Sequence, residues 1–175
     1  MTAKMLSFFK LIKTIKNFPT YLLEYFGFLK RENIIYELRN GLKYKVRSGS
    51  TDRFIMNEVW LHRAYTPQEF KINPDDIIVD IGAHLGVFTV MASSFAPNGK
   101  VYSFEPSKEN YELLLENIKL NQLKNVDAIN KAVSDKDGKI KFYISQTKNK
   151  GQNSLYKIGE DQKESTGLEK YFLSL

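Results

Sequence analysis

The sequence contains no cysteine. That absence excludes disulfides, thiolate metal sites and cysteine nucleophiles together. Histidine is nearly as scarce, with only His62 and His84, so no metal centre is expected. Nor is there a run fit to span a membrane, which needs about 20 mostly apolar residues. The longest uncharged stretch, "IGAHLGVFTVMASSFAPNG" over 81–99, is interrupted by glycines, His84, Pro97 and Asn98. No secretory leader is apparent, because Lys10, Lys13 and Lys16 break up the apolar residues near the start. Internal repeats and a G-x-x-x-x-G-K-[ST] phosphate loop are also lacking.

What is present is the composition of a globular protein: 175 residues, 42% hydrophobic and 26% charged. That length suggests one domain with an appendage. The net charge of +6 is unevenly placed, since residues 1–47 hold ten Lys/Arg against three Asp/Glu. The remainder is nearly balanced, which argues against a nucleic-acid groove spread over the domain. A membrane surface or another acidic partner suits the basic N-terminus better.

Four segments follow. Residues 1–30 form a basic amphipathic helical segment, with Met5, Leu6, Phe9, Ile12 and Phe18 as its stripe and Pro19 interrupting it. Such a helix suits either peripheral membrane contact through residues 1–18 or packing on the domain or a second subunit. Residues 31–73 supply a hairpin around Asn40-Gly41, predicted as type I′, and a helix capped by Thr51 or Asp52. There Ile55, Val59 and His62 would share a face.

Residues 74–156 read strand, helix, strand, helix, strand, which predicts parallel βαβ units. The strands are expected at Ile77–Ile81, Lys100–Phe104 and Val126–Val133, and the helices at Val87–Ser94 and Lys108–Asn121. Tyr111, Leu114, Leu115 and Ile118 are the expected core face of the second helix. A further strand, Lys139 to Ser145, follows an Asp137-Gly138 turn, and 157–175 reads as a polar tail.

The chemistry gathers in "IIVDIGAHLGVFTV". Gly82 stands where the first strand ends and Gly86 where a helix begins, so the backbone can turn tightly and admit a ligand. The next strand ends "VYSFEP", placing Glu105 where a carboxylate can accept from both ribose hydroxyls. The middle glycine of a dinucleotide G-x-G-x-x-G is absent, and Asp80 would repel a pyrophosphate. A carboxylate suits a ligand carrying a sulfonium and an ammonium group, which points to S-adenosylmethionine.

"VDIGAHLGVFTV", "SFEPSKENYELLLENIKLN", "NKAVSDKDGKIKFYIS" and "GQNSLY", in this order, resemble the FkbM family of S-adenosylmethionine-dependent methyltransferases. So does the upstream "TDRFIMNEVWLHRAY". The resemblance spans about residues 50 to 156. It implies a Rossmann-like class I methyltransferase fold of the α/β class and O-methylation of a sugar or related hydroxyl-bearing metabolite. By the same resemblance, Asp80, Gly82, Ala83 and Gly86 would surround the methionine part and Glu105 the ribose. Pro106 and Ser107 would lie beside the adenine, with Asn130, Lys131 and Ala132 at its edge. Glu58, Tyr65 and His84 are candidates for lining the site, His84 standing where the family usually has Asn.

The family continues with a fourth strand carrying an acidic motif and then three more; here the chain ends in "GLEKYFLSL". The expected fold is therefore one truncated after its first three parallel strands, with an N-terminal helix and hairpin. The strand "IIVDI" would keep a free apolar edge, open to a complementing chain. No residue stands out as catalytic, because the acceptor side would lie in the missing half, and independent activity is doubtful on that ground. A small-molecule or glycan acceptor, no nucleic acid, and a cytoplasmic, membrane-peripheral location complete the expectation. Its alternatives are a non-catalytic cofactor-binding or interaction fragment and a nicotinamide-dependent oxidoreductase.

Overall fold

The computed structural model describes residues 3–29, 31–67, 70–135, 138–145, 160 and 162–172. Two compact units divide the chain, Met1–Lys71 and Ile72–Leu175.

The N-terminal unit comprises α1 (Ala3–Thr14), α2 (Phe18–Tyr25), a β1–β2 hairpin (Asn33–Glu37 and Lys43–Arg47) and α3 (Asp52–Asn57). A π-helical turn over Glu58–His62 continues α3. Pro19 does not simply end a helix. It sits in the first turn of α2, where its missing N–H costs nothing and its fixed φ favours helix. Leu11 and Ile15 are the buried positions after residue 7, whereas Phe8 and Phe9 are exposed, so Phe9 is not on the packed side. The side chains of Met5 and Leu6 lie outside the described residues.

The hairpin is antiparallel with Tyr36 opposite Tyr44, and Ile34, Tyr36, Tyr44 and Val46 are buried. Of its loop residues Arg39, Asn40 and Gly41, only Gly41 has a positive φ, at 92°. The turn is thus a three-residue loop with glycine in the left-handed place rather than the type I′ turn predicted. Neither Thr51 nor Asp52 caps α3 through its side chain. Asp52 is buried instead, accepting from the Arg47 backbone N–H, Nε and Nη2 at 2.9 Å each.

In the C-terminal unit, β3 (Ile77–Ile81), β4 (Lys100–Phe104) and β5 (Val126–Ile129) form a parallel sheet in the order β3-β4-β5. Helices α4 (Val87–Phe95) and α5 (Lys108–Leu120) make the crossovers. This is the α/β architecture expected, with β3 and β4 at the expected residues. Strand β5 stops at Ile129, and β6 (Ala132–Ser134) leaves for a second sheet in the order β6-β8-β7. There β8 (Gln162–Phe172) pairs antiparallel with β7 (Gly138–Ser145) and parallel with β6. Much of the stretch read as a polar tail is thus strand. Asp137 and residues 151–156 lie outside the described residues.

Helix α5 presents a different face from the one expected. Asn110, Leu113, Leu114 and Asn117 are buried, at i, i+3, i+4 and i+7, while Leu115 is exposed. Asn117 is accommodated because its Nδ2 donates to the Leu85 carbonyl at 2.8 Å. The last turn of α4 is satisfied similarly, Asn125 Nδ2 donating to the Ala96 carbonyl at 2.8 Å. At the sheet edge, Ile77 and Ile81 are 74% and 61% exposed, and Val79 is exposed between them. Parallel sheets usually bury both faces, so the open side of β3 is exceptional.

Candidate functional site

Three loops leave the C-terminal ends of β3, β4 and β5: Gly82–Gly86, Glu105–Ser107 and Asn130–Lys131. Ligands of open parallel sheets bind at such strand ends. The sheet register sets them side by side, Ile81 opposite Phe104 and Phe104 opposite Ile129. Backbone bonds tie them together. Gly82 and Ala83 N–H both donate to the Phe104 carbonyl at 2.9 Å, and Glu105 N–H donates to the Ile129 carbonyl at 3.1 Å.

The two glycines do different work. Both have positive φ, 78° at Gly82 and 84° at Gly86. A Cβ on Gly82 would meet nothing, so this turn faces open space. A Cβ on Gly86 would overlap Leu114 Cδ1, so Gly86 lets α5 pack closely where α4 begins. Gly86 therefore serves packing as well as the turn. His84 also takes a positive φ, 53°, which is rare outside glycine. Ala83 is buried.

Glu105 is buried and engaged within the protein. One carboxylate oxygen accepts from the His84 N–H at 2.8 Å, the other from the Ser107 N–H at 2.9 Å. Asn110 Nδ2 approaches the latter oxygen at 3.5 Å. Glu105 thus fastens the glycine loop to the start of α5, a role not foreseen beside the ribose contact expected of it. Asn130 likewise donates inward, to the Glu105 carbonyl at 2.7 Å and that of Pro106 at 3.3 Å. Pro106 and Ser107 are buried, and Lys131 follows Asn130 with its N–H on the Ile129 carbonyl. Ala132 is buried at the start of β6.

Asp80 faces α4. Its Oδ2 accepts from Thr89 Oγ1 at 2.5 Å, and Thr89 Oγ1 lies 2.9 Å from Ser103 Oγ, so with Asp80 ionised the hydroxyls form a relay ending on the carboxylate. Burial raises the pKa of Asp80, and burial likewise raises that of Glu105, in each case against hydrogen bonds that favour the charged form. Neither has an ion-pair partner among the described residues. Two uncompensated carboxyls beside an open turn suit a cationic ligand and disfavour phosphate.

Thr89, Ser103, Asn110 and Asn117 were missed from sequence. The available signal was a polar residue recurring at buried spacing within α4, β4 and α5. Glu58 and Tyr65 belong to the N-terminal unit, where Tyr65 is exposed and Glu58 opens the π-helical turn. Among the described residues no cluster could hold a metal ion.

Residues 69–143 match the TRM5/TYW2 methyltransferase domain. A curated relative from Streptomyces tacrolimicus, 31-O-demethyl-FK506 methyltransferase FkbM, is 28% identical over 113 residues, 63% of this chain and 43% of that protein. The tRNA(Phe) (4-demethylwyosine(37)-C(7)) aminocarboxypropyltransferase of Methanocaldococcus jannaschii is 39% identical over 57 residues, 33% of this chain and 23% of that one. The solved structure of M. jannaschii TYW2 in complex with AdoMet shares 28% identity, with a TM-score of 0.41. The match covers 58% of this chain and 44% of that one. The chain thus spans less than half the length of each. The resemblance to the FkbM family holds at the coarser level only, because the domain match falls to TRM5/TYW2. These matches make residues 69–143 similar to S-adenosylmethionine-dependent methyltransferase domains.

Proposed function

We propose that the C-terminal unit binds S-adenosylmethionine at the mouth formed by the loops after β3, β4 and β5, as part of a methyltransferase. The observation that carries this is the pairing of an open turn at Gly82 with two carboxyls, half-buried Asp80 and buried Glu105, that lack cationic partners among the described residues. The donor set fits the cofactor: Asp80 would supply negative charge for its ammonium and sulfonium groups, and Glu105 retains acceptor capacity beyond its two amide bonds. When bound, the cofactor supplies an activated methyl group. The chain's own residues orient it, with Glu105 and Asn130 fixing the surrounding loops.

For the acceptor, the TRM5/TYW2 match and the tRNA-directed relative favour RNA over the sugar hydroxyl expected from sequence. A small-molecule hydroxyl is the second reading. It is supported by the longer alignment to the FkbM methyltransferase and by a C-terminal unit that carries fourteen Asp/Glu against thirteen Lys/Arg.

Thermal unfolding with S-adenosylhomocysteine is the test of cofactor binding. A ligand-dependent rise of the midpoint is expected. No rise, or an equal rise with a nicotinamide dinucleotide, would refute the assignment. Transfer of labelled methyl to tRNA, but not to a panel of hydroxyl metabolites, would settle the acceptor for RNA.

A further inference from the structure

The N-terminal unit exposes an aromatic surface that its own packing does not consume. At the end of α2 the chain runs Tyr25-Phe26-Gly27-Phe28, with Phe26 63% and Phe28 72% exposed. The rings form a continuous group, Tyr25 to Phe26 at 5.2 Å and Phe26 to Phe28 at 6.3 Å between centroids. Phe54 extends it, because the Arg53 guanidinium lies 5.0 Å from the Tyr25 centroid and 5.4 Å from that of Phe54. Phe8 and Phe9 are exposed on α1, exposed Lys10 follows them directly, and exposed Lys13 lies three residues further on. The unit as a whole has thirteen Lys/Arg against six Asp/Glu.

We propose that this surface docks the chain onto a bilayer containing anionic lipid. Tyr25, Phe26, Phe28 and Phe54 enter the boundary between headgroups and acyl chains, and the unit's excess of Lys/Arg, Lys10 and Lys13 among them, draws it to the headgroup charge. A contiguous exposed apolar patch on a folded unit marks an interaction site. Phenylalanines beside lysines are the composition of an interfacial surface. The ring geometry disfavours single-stranded nucleic acid, since base stacking needs free ring faces. Arg53 lies over faces of Tyr25 and Phe54, and Phe26 stands at 89° to Tyr25. The Arg53 charge is also already committed to buried Glu24, leaving little of it for a phosphate. Acyl chains need no free face, only apolar surface.

The test is co-sedimentation of the full chain with vesicles of phosphatidylcholine alone and of phosphatidylcholine with phosphatidylserine, at low and high salt. Binding to the mixed vesicles is expected, released by salt as screening requires. Phe26→Ser combined with Phe28→Ser should weaken it at least tenfold, and Lys10→Glu with Lys13→Glu should flatten its salt dependence. Should the double serine variant not fold, Phe28→Trp gives a second readout. Mixed vesicles should shift its emission to the blue, beyond any change in the parent, whose one tryptophan is Trp60. No binding to mixed vesicles, binding indifferent to the serine pair, or emission of the Phe28→Trp variant that does not shift overturns the proposal. Retention of a single-stranded oligonucleotide through these rings without vesicle binding would assign the surface to RNA instead.

Discussion

The two units keep buried carboxylates under opposite conditions. In the N-terminal unit each is matched by a cation: Glu24 by Arg53, with the Tyr36 hydroxyl and the Gly49 N–H also donating to it, and Asp52 by Arg47. In the C-terminal unit buried Glu105 and half-buried Asp80 meet only hydroxyls and amides. A matched carboxylate settles the fold around itself and has little left to offer. An unmatched one holds a charge in reserve, and a ligand can supply the missing partner. The contrast separates carboxylates committed to the fold from those with charge left for the proposed ligand more sharply than sequence position does.

Breaking the matched set should have the largest effect. Glu24→Ala leaves half-buried Arg53 without its counter-charge, and the Tyr36 hydroxyl and the Gly49 N–H without their acceptor. Loss of one member of a buried pair costs about 3–5 kcal/mol. Denaturant unfolding should register that loss, whereas Glu24→Gln should lose less, because it keeps one acceptor oxygen.

The glycines sharpen the comparison next. Gly86→Ala adds a left-handed strain to an overlap with Leu114, for a cost of about 2–3 kcal/mol. Gly82→Ala carries the strain alone, about 1–2 kcal/mol. The ratio should invert in calorimetric titration with S-adenosylhomocysteine. There Gly82→Ala should weaken binding by more than its effect on folding suggests, because its new methyl projects into the open space.

The smallest effect is on pH dependence. Burial lifts Asp80 and Glu105 above their ordinary values of 3.8 and 4.5, so the folded unit holds protons that the unfolded chain has released. This contribution to stability is complete below about pH 4 and is lost as pH rises through the folded-state values. Melting midpoints taken from about pH 4 to about pH 7 should fall by less in Asp80→Asn than in the parent. Cofactor affinity should move the other way, strengthening as the carboxyls ionise.

Much of this was legible in the sequence, because the relevant signals are local. The apolar runs at Ile77–Ile81 and Lys100–Phe104, each followed by turn and helix chemistry, become β3 and β4. The face of α5 was misread because Asn110 and Asn117 look like surface residues until Glu105 and the Leu85 carbonyl are found opposite them. The third strand was read through Asn130, which instead leaves the sheet to hold Glu105 and Pro106 by their carbonyls. Strand β8 had no apolar signature, since its pairing with β6 and β7 is long-range. Nothing local distinguishes Gly82 from Gly86 either; Leu114, far along the chain, does so.

The position of β3 carries a consequence for motion. Among the described residues, strand β4 is bonded on both flanks and β3 on one, and Ile77, Val79 and Ile81 of β3 are exposed. Amide hydrogens of β4 should therefore exchange with solvent only through large-scale opening, and those of β3 through much smaller fluctuations. The glycine turn hangs from the looser strand, but its first two residues are bonded to Phe104 of the tighter one. The candidate ligand mouth would then breathe on one side and stay still on the other.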